Sequence, residues 1–274
     1  MKPSELRRAI RVAADAAHTA GDVMRRNFRS VKTVQSSTQH DIKLELDVRC
    51  QKLIERALLK AFPDMAILGE EGVAGDGASP LRWVVDPIDG TVNFTYGIPH
   101  ACVSIALQKT RDGEEGEGRP DADFETVAGV VYDPFCEELW TAIRGGPARL
   151  NGRPVQVSTR RRLDEAIVTL GFGKFDSRLR EMLSILTALT HRVRKIRIMG
   201  SAALALTYVA SGRFDAYLEA GVRLWDIAAG GLIVECAGGD FDHQQVDGEH
   251  VYALNVTNGA LRRALTRHLR PVVA

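Results

Sequence analysis

The sequence of 274 residues contains little cysteine, and no C-x-x-C motif occurs among the few cysteines present. Neither a zinc site nor a disulfide framework is therefore predicted, and the thiols are expected to be reduced. Reduced thiols are typical of the cytoplasm, which is the compartment we expect for this protein. The four cysteines are Cys50, Cys102, Cys136 and Cys236.

The chain also lacks long apolar runs and an excess of charge of either sign. Its longest apolar stretches, such as ACVSIAL at 101–107, are much shorter than the roughly 20 residues that a membrane-spanning helix needs. Lysines and arginines number 36 against 35 acidic residues, so the net charge of +1 indicates no nucleic-acid or membrane partner. The first residues show an amphipathic pattern without the apolar core of a signal peptide. We therefore expect a soluble protein that acts on a small molecule.

Hydrophobic periodicity before residue 150 predicts two helices and a set of antiparallel strands. Apolar residues at helical spacing predict helices over 4–28 and about 45–61. The Gly-rich stretch 72–80 is predicted to be a mobile loop, and the charged stretch 111–123 a solvated hairpin loop. Strands are predicted over 65–68 and 82–86, and the antiparallel strands are 101–109, 125–132 and 137–142.

After residue 150 the pattern changes to an alternation of strands and helices. Strands are predicted over 166–170, 194–198, 214–218 and 251–255. Helices are predicted over about 177–190, 201–211, 226–237 and 259–269. The sequence thus predicts an N-terminal α+β lobe over 1–150, with most of the site residues, and a C-terminal α/β lobe over 151–274.

The segment WVVDPIDGTVNF (83–94) is the most informative one for function. An apolar strand runs into Asp86, and a proline forces a turn before Asp89, so the two carboxylates can converge on one point. Gly90 lets a backbone N–H approach an anion closely, and a helical turn that began there or at Thr91 would offer free N–H groups to a phosphate. The same residue types are common in ordinary turns and N-caps, so this motif alone leaves a structural role open.

Two further acidic clusters favour a functional role. In ILGEEG (67–72), Glu70 and Glu71 follow a predicted strand. Asp226 stands at the start of an apolar, Ala-rich helix, where it could also serve only as an N-cap. These acids stand at the ends of two predicted strands and at the start of a predicted helix. Their carboxylates are hard oxygen ligands, which Mg²⁺ prefers and which zinc and copper do not prefer. The residues therefore predict a magnesium site.

Three motifs, taken in chain order, resemble those of the inositol monophosphatase family of magnesium-dependent, lithium-sensitive phosphatases. They are GEE (69–71), DPIDGTVNF (86–94) and WDIAAG (225–230). The spacing of elements is similar over essentially the whole chain. The resemblance implies a layered αβαβα sandwich of the inositol monophosphatase and fructose-1,6-bisphosphatase type, two or three Mg²⁺ ions per subunit, and a homodimer.

The resemblance also implies a set of metal ligands. Glu70, Asp86 and the backbone carbonyl of Ile88 would hold one Mg²⁺ ion. Asp86, Asp89 and Asp226 would hold a second ion, and a third, looser ion would sit near Glu70.

The same resemblance places the phosphate and the attacking water. The backbone N–H groups of Gly90 and Thr91 would receive the phosphate. Thr91 would also position the water, with Asp47 as its acidic partner, and Glu70 completes the catalytic group. Metals that polarise the phosphoryl oxygens and activate water make a covalent phosphoenzyme unnecessary.

A pocket for the alcohol part of the substrate follows from the resemblance as well. Glu219 aligns with the residue that accepts hydrogen bonds from substrate hydroxyls, and Gly200, Ser201 and Ala202 would line the same pocket. An acidic acceptor suits a polyol or an alcohol that carries an ammonium group. Arg223 is interpreted as a solvated loop residue.

One segment departs from the family pattern. DIKLELD (41–47) has Lys43 and Leu44 where the family commonly shows Val-Thr between two acids. Fructose-bisphosphatase-like relatives are similar in having Lys-Leu near this place. The departure weakens an assignment to inositol phosphates in particular, whereas the predicted metal ligands are unchanged.

The predicted activity is hydrolysis of a phosphate monoester, such as an inositol, polyol or histidinol phosphate, and three alternatives stay open. A bisphosphatase acting on fructose 1,6-bisphosphate or a 3′-phosphonucleotide would need an extra cationic pocket, for which Lys174, Arg178 and Arg223 are candidates. A haloacid-dehalogenase-like phosphatase would use an aspartyl nucleophile in D-x-D-x-T, whereas the spacing here is D-x-x-D. A non-catalytic regulatory protein could keep the same fold, although the predicted metal ligands are all present.

Overall fold

The computed structural model describes six stretches of the chain: 1–38, 42–75, 79–111, 121–173, 176–246 and 248–273. The helices within these stretches are α1 (Pro3–Asn27), α2 (Glu45–Ala61), α3 (Thr91–Thr95), α4 (Asp176–Thr190), α5 (Ala202–Ala210), α6 (Leu224–Cys236) and α7 (Arg262–Val273). Each of the six helices predicted from periodicity is present, and α3 is the helical turn that the DGT motif allowed.

The strands form two large sheets and one small antiparallel pair. They are β1 (Val34–Ser37), β2 (Ile42–Leu44), β3 (Ala66–Gly69), β4 (Gly72–Ala74), β5 (Leu81–Asp89), β6 (Cys102–Thr110), β7 (Phe124–Asp133), β8 (Glu138–Ile143), β9 (Arg149–Leu150), β10 (Arg153–Pro154), β11 (Ile167–Leu170), β12 (Lys195–Arg197), β13 (Ala216–Arg223), β14 (Asp240–Gln245) and β15 (Val251–Thr257). The larger sheet has the order β10-β9-β8-β7-β6-β5-β3-β4, the smaller one β12-β11-β13-β15-β14, and β1 pairs with β2.

Three clusters of buried apolar side chains fill the space between the layers. In β5, Trp83 and Val85 pack with α1 and α2, whereas Val84 between them packs with α5 and α6, as expected for a strand with both faces buried. The other face of the α5–α6 layer meets the five-stranded sheet through Tyr217 and Leu254. A third cluster joins the far side of that sheet to α4 and α7. The order helix, sheet, helix, sheet, helix confirms the predicted αβαβα sandwich.

Small residues let α6 lie very close to its neighbours. A Cβ atom on Gly129 of β7 would come within 2.9 Å of the carbonyl oxygen of Ala229 in α6. A Cβ on Gly230 would likewise collide with Leu206 of α5, at 2.7 Å. Backbone therefore meets backbone in the central layer, and the start of α6 is held against the larger sheet.

The change from one large sheet to the other falls close to the predicted division of the chain. Strands β3 to β10 build the eight-stranded sheet, and β11 to β15 build the five-stranded sheet. The division into lobes at 150 and 151 itself stays a prediction.

None of the helices in the described residues is both long and apolar enough to cross a membrane. All four cysteines are free thiols, and Cys136 is exposed.

Two segments predicted to be loops contain ordered structure. Within the predicted loop 72–80, β4 pairs antiparallel with β3, while 76–78 lie outside the described residues. In the predicted loop 111–123, the central part 112–120 is also outside them, but Asp121 is buried rather than solvated.

Asp121 joins the two large sheets. Its carboxylate accepts hydrogen bonds from Arg82 of β5 at 2.8 Å and from the hydroxyl of Tyr252 of β15 at 2.9 Å. Nδ1 of His250 lies 2.6 Å from the same group. Burial acts to raise the pKa of Asp121, but the hydrogen bonds from His250 and Arg82 outweigh it and leave the pKa below its ordinary value. The polar composition of 111–123 gives no sign that Asp121 is buried, because the residues that bind it are distant in the sequence.

Candidate active site

A cleft of about 320 Å³ opens where β5 ends and α3, α5 and α6 begin. Nearly all of the predicted site residues line it. These are Glu70, Asp86, Ile88, Asp89, Gly90, Thr91, Gly200, Ser201, Ala202, Glu219 and Asp226. Asp47 is the predicted site residue that does not line the cleft.

Three aspartates converge in this cleft. Each of Asp86, Asp89 and Asp226 has a carboxylate oxygen within 4.8 Å of those of the other two. The first two stand at the end of β5, and Asp226 is the third residue of α6, so a strand end meets a helix start. Carboxylate oxygens at this spacing are suited to bridging by a divalent cation.

Two of these aspartates are oriented by their own backbone turns. Oδ1 of Asp86 accepts a hydrogen bond from the N–H of Ile88 at 2.9 Å. Oδ2 of Asp226 accepts one from the N–H of Arg223 at 2.9 Å, at the N-terminus of α6. The expectation that Asp226 could be the N-cap was wrong, because Arg223 is the N-cap and Asp226 is the third residue of α6. From that position Asp226 accepts the N–H of the N-cap, and it also belongs to the aspartate group.

Asp89 is oriented by α5. Its carboxylate accepts hydrogen bonds from the Ser201 hydroxyl at 2.5 Å, from the N–H of Ala203 at 2.7 Å and from the N–H of Ala202 at 3.3 Å. Ser201 is also the N-cap of α5, because its oxygen accepts the N–H of Leu204. The segment predicted to line the substrate pocket thus has a second task, which is to hold this aspartate.

Glu70 reaches the aspartates through strand pairing. Strand β3 runs parallel to β5 with Gly69 opposite Val85, and the N–H of Glu70 donates to the carbonyl of Val85 at 3.1 Å. The next residue along β5 is Asp86, and the Glu70 carboxyl group is near enough to raise the pKa of that aspartate. Parallel pairing therefore brings together the acid clusters that the sequence shows as separate motifs.

Burial and mutual repulsion disfavour the charged forms of these acids. Burial raises the pKa of Asp86 well above its ordinary value, and the charges of Glu70, Asp89 and Asp226 raise it further. For Asp226, burial is again the first cause and the repulsion from Asp89 the second. Burial also raises the pKa of Asp89, although the hydrogen bonds from α5 oppose it. A set of mutually repelling oxygen donors, with Asp86 and Asp89 buried and Glu70 and Asp226 half-buried, fits a divalent cation such as Mg²⁺.

We expect the protein in EDTA to lose stability as the pH rises from about 4 to about 8. Folded-state pKa values above the unfolded ones mean that the folded chain binds more protons, so the stability present below the ordinary aspartate pKa is lost as pH rises through the folded values. Burial raises the pKa of Asp47 to about 8, so the contribution of this residue is lost as the pH approaches the upper end of the range. Thermal denaturation across that range, with EDTA and with Mg²⁺, measures the effect.

Added Mg²⁺ should raise the melting temperature most at the alkaline end, by the equivalent of about 2.7 kcal/mol at 100 times its dissociation constant. A melting temperature that instead climbed with pH in EDTA would contradict the raised pKa values.

Asp47 and Thr91 lie beside this centre without a hydrogen bond to each other. Oδ2 of the buried Asp47 accepts the N–H of Leu44 at 2.7 Å, and its Oδ1 has no hydrogen-bond partner in the described part of the chain. The Thr91 hydroxyl donates to the carbonyl of Ile88 at 2.8 Å. Thr91 therefore keeps its oxygen available as an acceptor, and Asp47 offers a buried, unsatisfied carboxylate oxygen.

The turn between β5 and α3 requires a glycine. Gly90 has φ +92°, and a Cβ there would lie 2.9 Å from the carbonyl oxygen of His100. Asn93 fixes the same turn, because its Nδ2 donates to the carbonyls of His100 at 2.9 Å and of Met199 at 2.8 Å. This role of Asn93 was not predicted, because the residue's place within DGTVNF does not reveal that the carbonyl of Met199 lies next to it.

Glu219 lies on β13, which runs past the predicted strand end at 218. Its carboxylate accepts a hydrogen bond from the Tyr217 hydroxyl. Gly171 faces this carboxylate, since a side chain there would overlap it. The absence of a side chain at Gly171 therefore leaves room for the carboxylate of Glu219, the acceptor that the resemblance implies.

Of the three cationic residues considered for a second phosphate, one lies away from the cleft, one lines it, and one lies outside the described residues. Arg178 pairs with Glu181 at 3.1 Å and does not line the cleft, and Lys174 lies outside the described residues. Arg223 does line it, at the end of β13 rather than in a loop, and its Nη1 donates to the carbonyl of Glu249 at 3.2 Å.

Comparison with known proteins shows extensive similarity. A family model described as the inositol monophosphatase family matches residues 5–273. A Nus factor SuhB from Xylella fastidiosa is 40% identical over 234 residues, which cover 84% of this chain and 80% of the relative. An inositol-1-monophosphatase from Rhizobium meliloti is 36% identical over 277 residues, 96% of this chain and 95% of the relative. The solved inositol monophosphatase from Anabaena (Nostoc) superposes with a TM-score of 0.81 at 30% identity, covering 98% of this chain and 97% of that one.

Proposed function

Because this chain belongs to the inositol monophosphatase family, we propose that it is a magnesium-dependent phosphatase that releases inorganic phosphate from a small phosphate monoester. Its substrate class is an inositol monophosphate or a related polyol or histidinol phosphate. The observation that carries the proposal is the meeting of Asp86, Asp89 and Asp226 in one cleft, with Glu70 beside Asp86.

The proposed ligand set is the one that the family resemblance implies, and this arrangement supports it. Glu70, Asp86 and the carbonyl of Ile88 would hold one Mg²⁺ ion, and Asp86, Asp89 and Asp226 a second. When bound, Mg²⁺ supplies positive charge to the phosphoryl oxygens and to the departing alkoxide, and it acidifies water.

The remaining steps belong to residues of the chain itself. The N–H of Thr91, at the first position of α3, has no partner within the helix, and together with the N–H of Gly90 it would receive a phosphate oxygen. The Thr91 hydroxyl, which donates to the carbonyl of Ile88, can accept a hydrogen bond from the attacking water. Asp47, with its pKa raised by burial to about 8 and its Oδ1 unpaired, can hold a proton near neutral pH.

Glu219 is proposed to bind the alcohol part of the substrate. Glu219→Gln should raise KM for a hydroxyl-rich substrate by roughly tenfold, because a hydrogen bond to a charged acceptor contributes about 1.5–3 kcal/mol. It should also change the order of preference among substrates and affect kcat less. Steady-state kinetics on several monoesters measure this. The control is Glu235→Gln. Glu235 lies at the far end of α6, where its exposed carboxylate forms an ion pair with Arg144. An equal loss of kcat for every substrate would contradict the assignment.

The described lining of the cleft favours one phosphate over two, because Arg223 is its one cationic side chain. Phosphate release from inositol 1-phosphate, histidinol phosphate, fructose 1,6-bisphosphate and adenosine 3′,5′-bisphosphate, with Mg²⁺, with EDTA and with added lithium, tests the proposal. We expect release from a monoester that requires Mg²⁺ and is inhibited by lithium. Release from a bisphosphate alone would favour the bisphosphatase alternative.

A regulatory role is a second candidate, and the observation that favours it is that several relatives bear the name Nus factor SuhB. Under this alternative the fold and the metal site persist without turnover. Mg²⁺ binding by a chain that released no phosphate from any compound of the panel would support it. The homodimer that the resemblance implies stays a prediction, which sedimentation of the purified protein would test.

A further inference from the structure

Lys43 stands next to the acidic centre rather than in solvent alone. It lies on β2, directly before α2, and its ammonium group forms an ion pair with Glu71. The side chain of Glu71 is only 5% exposed, so this pair reaches into the protein although the lysine itself is partly exposed. Lys43 is also the residue at which the sequence departs from the usual family pattern.

The position of Glu71 is fixed by neighbouring elements. Glu70 and Glu71 are the two residues between β3 and β4, and Glu70 lines the cleft whereas Glu71 does not. The N–H of Glu71 donates to the side-chain oxygen of Gln51 in α2 at 2.8 Å, and the amide nitrogen of Gln51 donates to the carbonyl of Gly72 at 3.1 Å. The ammonium of Lys43 is thereby paired with a fixed glutamate that is the chain neighbour of Glu70.

Further carboxylates share the field of this ammonium. The hydrogen bond to Glu71 is the main reason that the pKa of Lys43 is raised, and the charges of Glu70 and Asp47 add to it. Lys43 in turn opposes the rise in the pKa of Asp47. One tethered positive charge therefore acts on three acids, and one of them, Glu70, lies beside Asp86 of the aspartate cluster.

We propose that Lys43 is a fixed cation beside the metal centre, and that its positive charge near Glu70 limits the site to two divalent ions. The inference rests on the proposed magnesium-dependent function. A tethered ammonium satisfies Glu71 and repels a further divalent ion placed near Glu70. In this chain the third, looser ion near Glu70 is replaced by a side chain.

Counting bound Mn²⁺ by electron paramagnetic resonance tests the inference without using turnover, since Mn²⁺ shares the oxygen-ligand preference of Mg²⁺. We expect the full chain to bind two ions, and Lys43→Met or Lys43→Gln to bind a third or to bind the outermost ion at least tenfold more tightly. Lys43→Arg should restore the limit of two. The matched control is Lys52→Met, an exposed lysine on α2, which should bind two.

The outcomes separate the inference from the function on which it rests. If the unmodified chain binds two ions and both neutral variants bind the same number with the same affinity, Lys43 is not the limiting cation, and the proposed function stands. Three ions on the unmodified chain would overturn the inference as well. No bound Mn²⁺ on the unmodified chain would overturn the proposed function. Lys43→Met and Lys43→Gln differ in polarity, and either variant is enough for the test if it melts at the same temperature as the unmodified chain.

Discussion

Asp86→Asn should abolish phosphate release and the stabilisation by Mg²⁺ together. Asp86 is buried, lies between Glu70 and the other two aspartates, and is proposed to contact both ions. Loss of metal stabilisation of the transition state by about 4 kcal/mol corresponds to about 10³-fold in rate. In EDTA the variant should melt at the same or a higher temperature, because one of four mutually repelling acids is gone. Phosphate-release rates and melting temperatures with and without Mg²⁺ measure both effects.

The matched control for this change is Asp133→Asn. Asp133 is also buried, also ends a strand before a proline, and also accepts N–H groups of its own turn, from Phe135 at 2.8 Å and Cys136 at 3.1 Å. It does not line the cleft. This variant should keep the rise in melting temperature with Mg²⁺. An Asp86→Asn protein with unchanged turnover would overturn the proposed mechanism, whatever the control did.

Thr91→Ala should lower kcat by ~10²–10⁴ while Mg²⁺ binding persists. The change removes the hydroxyl proposed to position the attacking water, and it leaves the four carboxylates in place. A fall in kcat with Mg²⁺ affinity intact distinguishes loss of positioning from loss of metal. Turnover and Mg²⁺ titration of the same preparation supply both values.

Thr95→Ala is the matched control for Thr91→Ala, one helical turn further along α3. The Thr95 hydroxyl donates to the carbonyl of Thr91 at 2.7 Å, much as Thr91 donates to that of Ile88, but Thr95 does not line the cleft. Its loss should change kcat little. If both variants lost activity equally, the effect would come from a weakened α3 and the role given to Thr91 would be wrong.

Much of the fold and of the candidate site was predictable because local signals specify it. Asp86 and Asp89 follow an apolar strand within three residues, and Asp226 opens an apolar helix, so neighbouring residues reveal where each acid stands. The strand β14 was missed, because its sequence DFDHQQ (240–245) is mostly polar and shows little of the pattern of a half-buried strand.

Contacts between distant segments escaped prediction. The donors that hold Asp89 come from Ser201 and the residues after it, more than a hundred positions along the chain. The burial of Asp121 depends on Arg82 and on Tyr252, which lie in different sheets. Periodicity reports on one element at a time, and these partners become neighbours only when the layers have assembled.

The contact between Gly129 and Ala229 sets how far apart the two ligand-bearing elements stand. At this contact backbone lies against backbone, whereas side chains such as Val84 and Ala106 fill the space elsewhere between α6 and the larger sheet. The separation between Asp226 and Asp86 therefore depends in part on the main chain itself. A residue larger than glycine at position 129 would push α6, and Asp226 with it, away from the sheet that carries Asp86.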